Sequence, residues 1–175
     1  MEIRAAELPA DARAIRSVDT SFTTSSVFDV SVEGLTIRLE ERDVDPPITK
    51  RFPHEDLEAD RTWDRGWLAL EAETPIGFAA TRDEPWNGRV VVSHLYVTGR
   101  FRHGGVGRAL LDVALASAAA RGARRAWLET SSLNVPGFRA YERLGFDLCG
   151  LDLNLYDGTP AEGEVALFLD RSLRA

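Results

Sequence analysis

The residues with the clearest chemical meaning follow an apolar stretch at residues 90–97. They are three glycines and their basic neighbours: Gly104, Gly105 and Gly107, with Arg102, His103 and Arg108. Glycines let backbone N–H groups approach an anion closely, and a helix N-terminus adds a favourable dipole. No acid lies between Thr98 and Arg108, although the chain carries a formal net charge of −7. The pattern indicates a phosphate-binding turn that opens a helix; the alternative is a plain tight turn flanked by solvated arginines.

Two other phosphate-binding motifs are excluded. A P-loop requires Lys-Ser or Lys-Thr after its glycines, and neither pair follows here. A dinucleotide fingerprint would need glycine or alanine where this chain has Leu110, although Glu129 lies at a suitable distance for a ribose contact.

A second block of residues follows the helix-compatible run. It consists of residues 128–134, which read LETSSLN, then Ala140-Tyr141 and Leu144-Gly145-Phe146. The two blocks in this order resemble the GNAT superfamily of N-acetyltransferases, with Arg102, Gly105 and Gly107 in the acyl-CoA pyrophosphate loop. The resemblance covers residues 86–146 well and the N-terminal part as a pattern of elements.

The resemblance implies acetyl-CoA as cosubstrate and no metal. Pantetheine would bond to the backbone of Leu95 and Val97, with Val97 N–H as an oxyanion donor. The implied cofactor-binding residues are Leu95, Tyr96, Val97, Arg102, His103, Gly104, Gly105, Val106, Gly107, Arg108, Asn134 and Tyr141. Asn134 is either a helix N-cap or a CoA contact, or both.

Three residues are the implied catalytic groups. Tyr141 would give a proton to the departing thiolate, since a phenol of ordinary pKa about 10 can serve a thiolate of about 8.5; otherwise it is a core tyrosine. Glu129 is the first choice for the base that deprotonates the amine, and His94 is the second. Relatives often have an acid where Ser93 or His94 stands here, so a water chain without a single base stays open.

A narrower resemblance concerns the acceptor. The chain is similar to streptothricin acetyltransferases at Trp86-Asn87-Gly88, at residues 128–130 and in the tail at 155–158 and 164–168. Those enzymes acetylate an amine of the antibiotic's β-lysine moiety. The resemblance implies a primary amine of a small molecule as acceptor. Loop carboxylates Asp43, Asp45, Asp83 and Glu84 are candidates for binding a cationic acceptor. Two alternatives remain: a protein N-terminal or lysine acetyltransferase, and a CoA-binding module without turnover.

The elements that must position these residues follow from alternation and turn signals. Strands are predicted over residues 28–32, 35–41, 67–72, 76–81, 90–97, 126–130, 146–156 and 165–169, and helices over 9–17, 55–65, 106–121 and 135–144. Gly122 and Gly145 close the last two helices, and Gly34 and Gly88 mark hairpin turns. Residues 43–53 carry three prolines and are predicted to form a loop.

An antiparallel start followed by strand, helix and strand predicts an α+β fold with a mixed, mostly antiparallel sheet and a parallel central pair. One N-acetyltransferase domain over 1–175 is expected, in the cytoplasm, with the single Cys149 in the core. The acidic composition argues against nucleic acid, and no apolar run approaches a membrane span. Related enzymes are often homodimers, but no segment indicates one here.

Overall fold

The computed structural model describes residues 1–53 and 61–174. The chain forms two compact units: Met1–Ser21, Arg51–Leu128 and Ser172–Ala175 make the first, and Phe22–Lys50 and Glu129–Arg171 make the second. In chain order the elements are β1 (Glu2–Ala5), α1 (Ala12–Ser17), β2 (Ser21–Glu33), β3 (Thr36–Arg51), β4 (Arg65–Glu71), β5 (Thr74–Glu84), β6 (Arg89–Val97), α2 (Val106–Ala120), β7 (Arg125–Ser131), α3 (Val135–Arg143), β8 (Asp147–Asp152) and β9 (Ala166–Ser172). The helix predicted for residues 55–65 falls mostly on 54–60, outside the described residues, and Arg65 begins β4.

The sheet of the first unit runs in the order β1-β4-β5-β6-β7. Its pairs are antiparallel from β1 to β6, and β6 pairs with β7 in parallel. Ala72 and Glu73 take left-handed φ angles of 44° and 66° between β4 and β5, and Gly88 takes 66° before β6. The parallel connection passes through α2, because parallel strands need a crossover. The predicted mixed, mostly antiparallel fold is confirmed.

Helix α2 packs an apolar face on β4 and β5. The buried residues recur at helical spacing and are Val106, Leu110, Leu111, Ala114, Leu115 and Ala118. Gly77 of β5 permits the close approach of α2 to the sheet, because a Cβ at Gly77 would lie 2.9 Å from Leu110 Cδ1. Full burial of a leucine such as Leu110 stabilises the fold by roughly 1.5–3 kcal/mol. The N-terminal turn of α2 is thereby held beside the end of β6, where a Cβ at Gly107 would lie 3.5 Å from Val97 Cγ2.

Strand β1 is absent from the sequence-based prediction. It has four residues, and all but the half-buried Ile3 are exposed, so it carries no apolar alternation to recognise. Its place is given by pairing with β4, in which Ile3 lies opposite Ala69. No helix in residues 1–53 and 61–174 is both long and apolar enough to span a bilayer.

The second unit contains the long β2–β3 hairpin, whose turn has Gly34 at a φ of 61°. The hairpin is confirmed, but the loop predicted for residues 43–53 is wrong, because β3 continues through Pro46 and Pro47 to Arg51. Proline harms a strand mainly by removing a ladder N–H. In a two-stranded sheet alternate N–H groups face away from the partner strand, so prolines are tolerated there better than in a sheet interior.

Helix α3 and the antiparallel pair β8–β9 complete the second unit. The hairpin packs on α3 through Phe28 and Phe138, whose ring centroids are 4.9 Å apart. Strand β8 ends at Asp152, before the predicted Tyr156, because the Asp152 carboxylate accepts from Asn154 N–H at 2.9 Å and turns the chain. The core position expected for Cys149 is wrong: the residue is exposed, beside the register shift between Leu148 and Gly150.

Candidate active site

The glycine-rich turn carries the first part of the site. His103 and Gly105 take left-handed φ angles of 63° and 82°, and Gly105 is the N-cap residue of α2 without a side-chain cap. The first helical bond runs from Ala109 N–H to Gly105 O at 3.0 Å. The N–H groups of Val106 and Gly107 precede that bond, so no helix carbonyl accepts from them. They suit an anion at the positive end of the helix dipole.

Arg102 ties this turn to the end of β6. Its Nε donates to Val97 O at 2.8 Å, and its guanidinium also donates to Ser21 O and lies 3.8 Å from the Asp19 carboxylate. In this conformation Arg102 holds backbone carbonyls in place.

The edge of β6 that faces away from β5 carries the second part of the site. Thr98 N–H donates to Ile76 O at 2.9 Å, and antiparallel pairing alternates between bonded and non-bonded pairs. The N–H and C=O groups of Leu95 and Val97 therefore point away from β5. In the described chain the register of β6 with β7 runs only to Val91, so Leu95 and Val97 have no paired residue on β7, and Val97 O is bonded to Arg102.

The side chains of His94 and Tyr96 project from one face of β6, and those of Leu95 and Val97 project from the other. His94 Nδ1 lies 3.3 Å from Tyr96 OH, and the two ring centroids are 5.5 Å apart. Phe78 and Phe52 extend this aromatic group at 6.0 Å from His94 and 6.1 Å from Tyr96. The surroundings of His94 are thus largely aromatic.

Asn134 and Tyr141 lie on α3 and its cap in the second unit. The buried Asn134 caps the helix: its Oδ1 accepts from Gly137 N–H at 3.1 Å, and its Nδ2 donates to Thr130 Oγ1 at 3.0 Å. Tyr141 is half-buried with its ring 6.1 Å from that of Phe146, and its hydroxyl has no hydrogen-bond partner within the described part of the chain. Burial raises the pKa of Tyr141 to about 12, so the phenol keeps its proton at neutral pH.

Glu129 meets a residue far along the chain. Tyr156 OH donates to Glu129 Oε1 at 2.6 Å, with Glu129 exposed and Tyr156 half-buried. Burial raises the pKa of Tyr156, and its hydrogen bond to Glu129 raises that pKa further. The phenol is therefore the donor and the carboxylate the acceptor.

A buried carboxylate lies beside this pair. Glu164 is 9% exposed, and its two oxygens accept from Ser131 Oγ and from the Lys50 ammonium. Its charge adds to the raised pKa of Tyr156. A carboxylate so deeply buried requires such partners.

Comparisons with known proteins identify the family. The model of the acetyltransferase (GNAT) family matches residues 36–146. Streptothricin acetyltransferase from Streptomyces lavendulae is 41% identical, over 96% of this chain and 93% of its own length. The chain belongs to the GNAT acetyltransferase family.

Solved structures agree with this membership. The crystal structure of nourseothricin acetyltransferase has a TM-score of 0.89 at 41% identity, covering 99% of this chain and 98% of its own. A candidate streptothricin acetyltransferase from Bacillus anthracis str. Ames, in complex with acetyl coenzyme A, has a TM-score of 0.83 at 26% identity, with the same coverage. The protein is thus an N-acetyltransferase, and its family uses acetyl-CoA.

Several predicted site residues come together within the first unit. The end of β6, with Leu95, Tyr96 and Val97, meets the turn and helix start: Arg102 bonds to Val97 O, and a Cβ at Gly107 would lie 3.5 Å from Val97 Cγ2. In the second unit each predicted residue has its own surroundings: Glu129 bonds to Tyr156, whereas Asn134 bonds to Thr130 and Gly137.

The predicted acceptor carboxylates Asp83 and Glu84 are engaged with arginines. Asp83 pairs with Arg121 at 2.7 Å, and Glu84 pairs with Arg89 at 2.7 Å. Hydrogen bonding from Arg121 lowers the pKa of Asp83. These ion pairs give both carboxylates a role within the fold.

Sequence reasoning missed the contacts of Tyr156, Glu164 and Lys50. Tyr156 and Glu164 occur in the tail segments that resemble streptothricin acetyltransferases, and that resemblance was the available signal. Their partners are distant in sequence, by 27 residues for Tyr156 and Glu129 and by 114 for Lys50 and Glu164. Such pairs need the fold itself.

Proposed function

We propose that this acetyltransferase moves the acetyl group of acetyl-CoA to a primary amine of streptothricin or of a closely similar cationic antibiotic. The observation that carries the proposal is the 41% identity to the Streptomyces lavendulae streptothricin acetyltransferase across 96% of the chain. The similarity to nourseothricin acetyltransferase, with a TM-score of 0.89, supports the same acceptor class. A formal net charge of −7 favours encounter with a cationic acceptor.

The proposed acetyl-CoA site follows from the first unit. The pyrophosphate would accept hydrogen bonds from the turn and helix start at Gly104–Arg108, where Val106 and Gly107 offer N–H groups ahead of the first helical bond. The pantetheine amides would pair with the backbone of Leu95 and with that of Val97, whose carbonyl also accepts from Arg102 Nε at 2.8 Å. Asn134 is proposed as a further CoA contact in addition to its cap.

The proposed chemistry assigns one proton or charge to each group. Glu129 takes a proton from the acceptor's ammonium, with His94 as the second candidate base. The nitrogen lone pair forms the N–C bond to the acetyl carbon, while Val97 N–H donates to the carbonyl oxygen as negative charge develops there. The C–S electrons go to sulfur, which takes the phenolic proton of Tyr141. The second nitrogen proton restores the phenol, so the products are amide, thiol and one released proton.

The organisation and location of the enzyme are also proposed. Residues 1–175 would act as one N-acetyltransferase domain, since the similarity to streptothricin acetyltransferase runs across nearly the whole chain. Cytoplasmic action would fit a chain with a single cysteine, Cys149, which cannot form an intramolecular disulfide and stays a thiol in a reducing compartment.

An acceptor panel tests the proposal. Thiol release from acetyl-CoA would be followed with streptothricin, with lysine and simple diamines, and with peptides that carry a free N-terminus or a lysine. We expect kcat/KM for streptothricin to exceed that for every other acceptor by at least about 100-fold, because the remote parts of a specific substrate contribute transition-state binding. Preferential turnover of peptides would replace this acceptor class with protein acetylation. Binding of acetyl-CoA without turnover of any acceptor would indicate a binding module.

A further inference from the structure

The contact between Glu129 and Tyr156 leaves one carboxylate oxygen open. Tyr156 OH occupies Oε1 at 2.6 Å, and Oε2 has no partner in residues 1–53 and 61–174. An exposed glutamate side chain ordinarily samples several rotamers. A single strong donor on one oxygen reduces that freedom and leaves the other oxygen available to a ligand.

The segment that carries Tyr156 is ordered by its own hydrogen bonds. Thr159 anchors the Tyr156 carbonyl twice, through its N–H at 3.0 Å and through its hydroxyl at 2.6 Å. Asp157 N–H donates to Asn154 O at 3.0 Å, and Glu162 N–H donates to Thr159 O at 3.0 Å. The phenol is therefore presented from a series of hydrogen-bonded turns.

The same segment is attached to β7 at a second point. Ser131 lies two residues after Glu129, on the same face of the strand, and its hydroxyl bonds to Glu164 at the far end of the segment. Val165 N–H donates to Ser132 Oγ at 3.1 Å, and Ser132 N–H donates to Val165 O at 2.9 Å. Two attachments on one strand fix where Tyr156 stands relative to Glu129.

The charges around the pair are compatible with a cation at Glu129. Lys50 neutralises Glu164 through their ion pair. Tyr156 is neutral because its pKa is raised by burial and by Glu129, so it donates without adding charge. Glu129 is then the carboxylate of this group whose charge is not offset by a cationic partner within the described chain.

We infer that Tyr156 is a positioning residue that holds Glu129 by one oxygen so that the other receives the acceptor's alkyl ammonium and its proton. This inference rests on the proposed function, in which Glu129 is the base. Tyr156 does not touch the reacting atoms, and its effect on catalysis passes through Glu129.

A double-mutant cycle tests the inference. Tyr156→Phe removes only the hydroxyl. We expect kcat/KM for the acceptor to fall about 10-fold or more, since a hydrogen bond to a charged group is lost, while the KM for acetyl-CoA stays within about twofold. In a Glu129→Gln background the same change should have no further effect. Ser26→Ala, which removes a similar hydroxyl from Glu41 at 2.7 Å, is the matched control and should retain wild-type kinetics.

Several outcomes would overturn the inference. Wild-type kcat/KM in Tyr156→Phe would show that the hydrogen bond does not matter, and multiplicative losses in the double variant would show that Tyr156 acts independently of Glu129. Glu129→Asp gives a second test that leaves Tyr156 in place, because it withdraws the carboxylate by one methylene. It should also lose about 10-fold in acceptor kcat/KM, and wild-type activity there would refute the need for positioning. Failure of the proposed function would look different, since the wild-type enzyme would then acetylate no amine or would turn over peptides in preference to streptothricin.

Discussion

Replacement of Gly105 by alanine separates the backbone geometry of the glycine-rich turn from general stability. Gly105 has a φ of 82°, and a Cβ there would meet nothing within 4 Å, so the change adds backbone strain without a steric clash. An L-residue in the left-handed region costs roughly 1–2 kcal/mol. For a chain of this length about 1 kcal/mol corresponds to roughly 2–4 °C in Tm, so we expect the midpoint to fall by about 2–8 °C.

The effect on acetyl-CoA should be larger than the effect on stability. Alanine can relieve the strain by leaving the left-handed region, which turns the N–H groups at the start of α2 away from the pyrophosphate. Loss of one hydrogen bond to a charged group corresponds to roughly 1.5–3 kcal/mol, or about 10- to 150-fold in Kd. Titration calorimetry with acetyl-CoA would measure Kd, and scanning fluorimetry would measure Tm.

Gly34→Ala is the matched control for this experiment. Gly34 has a φ of 61° and equally empty surroundings, but it lies at the tip of the β2–β3 hairpin. It should show a similar fall in Tm with an unchanged Kd for acetyl-CoA. If Gly105→Ala bound acetyl-CoA with wild-type affinity, the turn would not be the pyrophosphate site and the reasoning would be refuted.

Three further changes test single contacts. Tyr141→Phe should lower kcat by about 100-fold or more while the Kd for acetyl-CoA stays within about twofold, and an unchanged kcat would remove Tyr141 as the proton donor. Because the pKa of Tyr141 is about 12, wild-type activity should show no decline from loss of this acid up to about pH 10. Asn134→Ala should lower the free energy of unfolding by about 1 kcal/mol or more, since the cap and the bond to Thr130 are both lost. Urea titration would measure this loss, and an unchanged free energy of unfolding would contradict it. Asp83→Asn should be less stable than wild type at pH 7, because Arg121 lowers the pKa of Asp83 in the folded state. The stability difference between wild type and variant should shrink as the pH falls below about 4, because protonation of Asp83 removes the stabilising pair with Arg121 from wild type. A pH-independent difference in Tm would contradict the pairing.

Most of the scaffold was predictable because its turns have local causes. Gly122 and Gly145 adopt positive φ angles after the helices they were expected to close, and Gly88 does so in the hairpin turn it was expected to mark. The apolar spacing of α2 likewise predicted its buried face. These features depend on a few adjacent residues, so the sequence is sufficient to read them.

The remaining features depend on pairings that local sequence does not contain. The extension of β3 past Pro46 and Pro47 depends on its pairing with β2, and the exposure of Cys149 depends on a register shift in β8. The bond from Tyr156 to Glu129 likewise depends on how the tail segment is attached to β7. Periodicity in the sequence could not predict these features, because in each case the partner residue is far along the chain.

Incubation of the purified protein with acetyl-CoA and streptothricin, with thiol release and product mass followed together, tests the proposed acetyl transfer itself. The proposed reaction yields thiol and a singly acetylated antibiotic in equal amounts, with fragmentation placing the acetyl group on an amine of the β-lysine moiety. Unmodified streptothricin, in the presence of folded protein that binds acetyl-CoA, would contradict it.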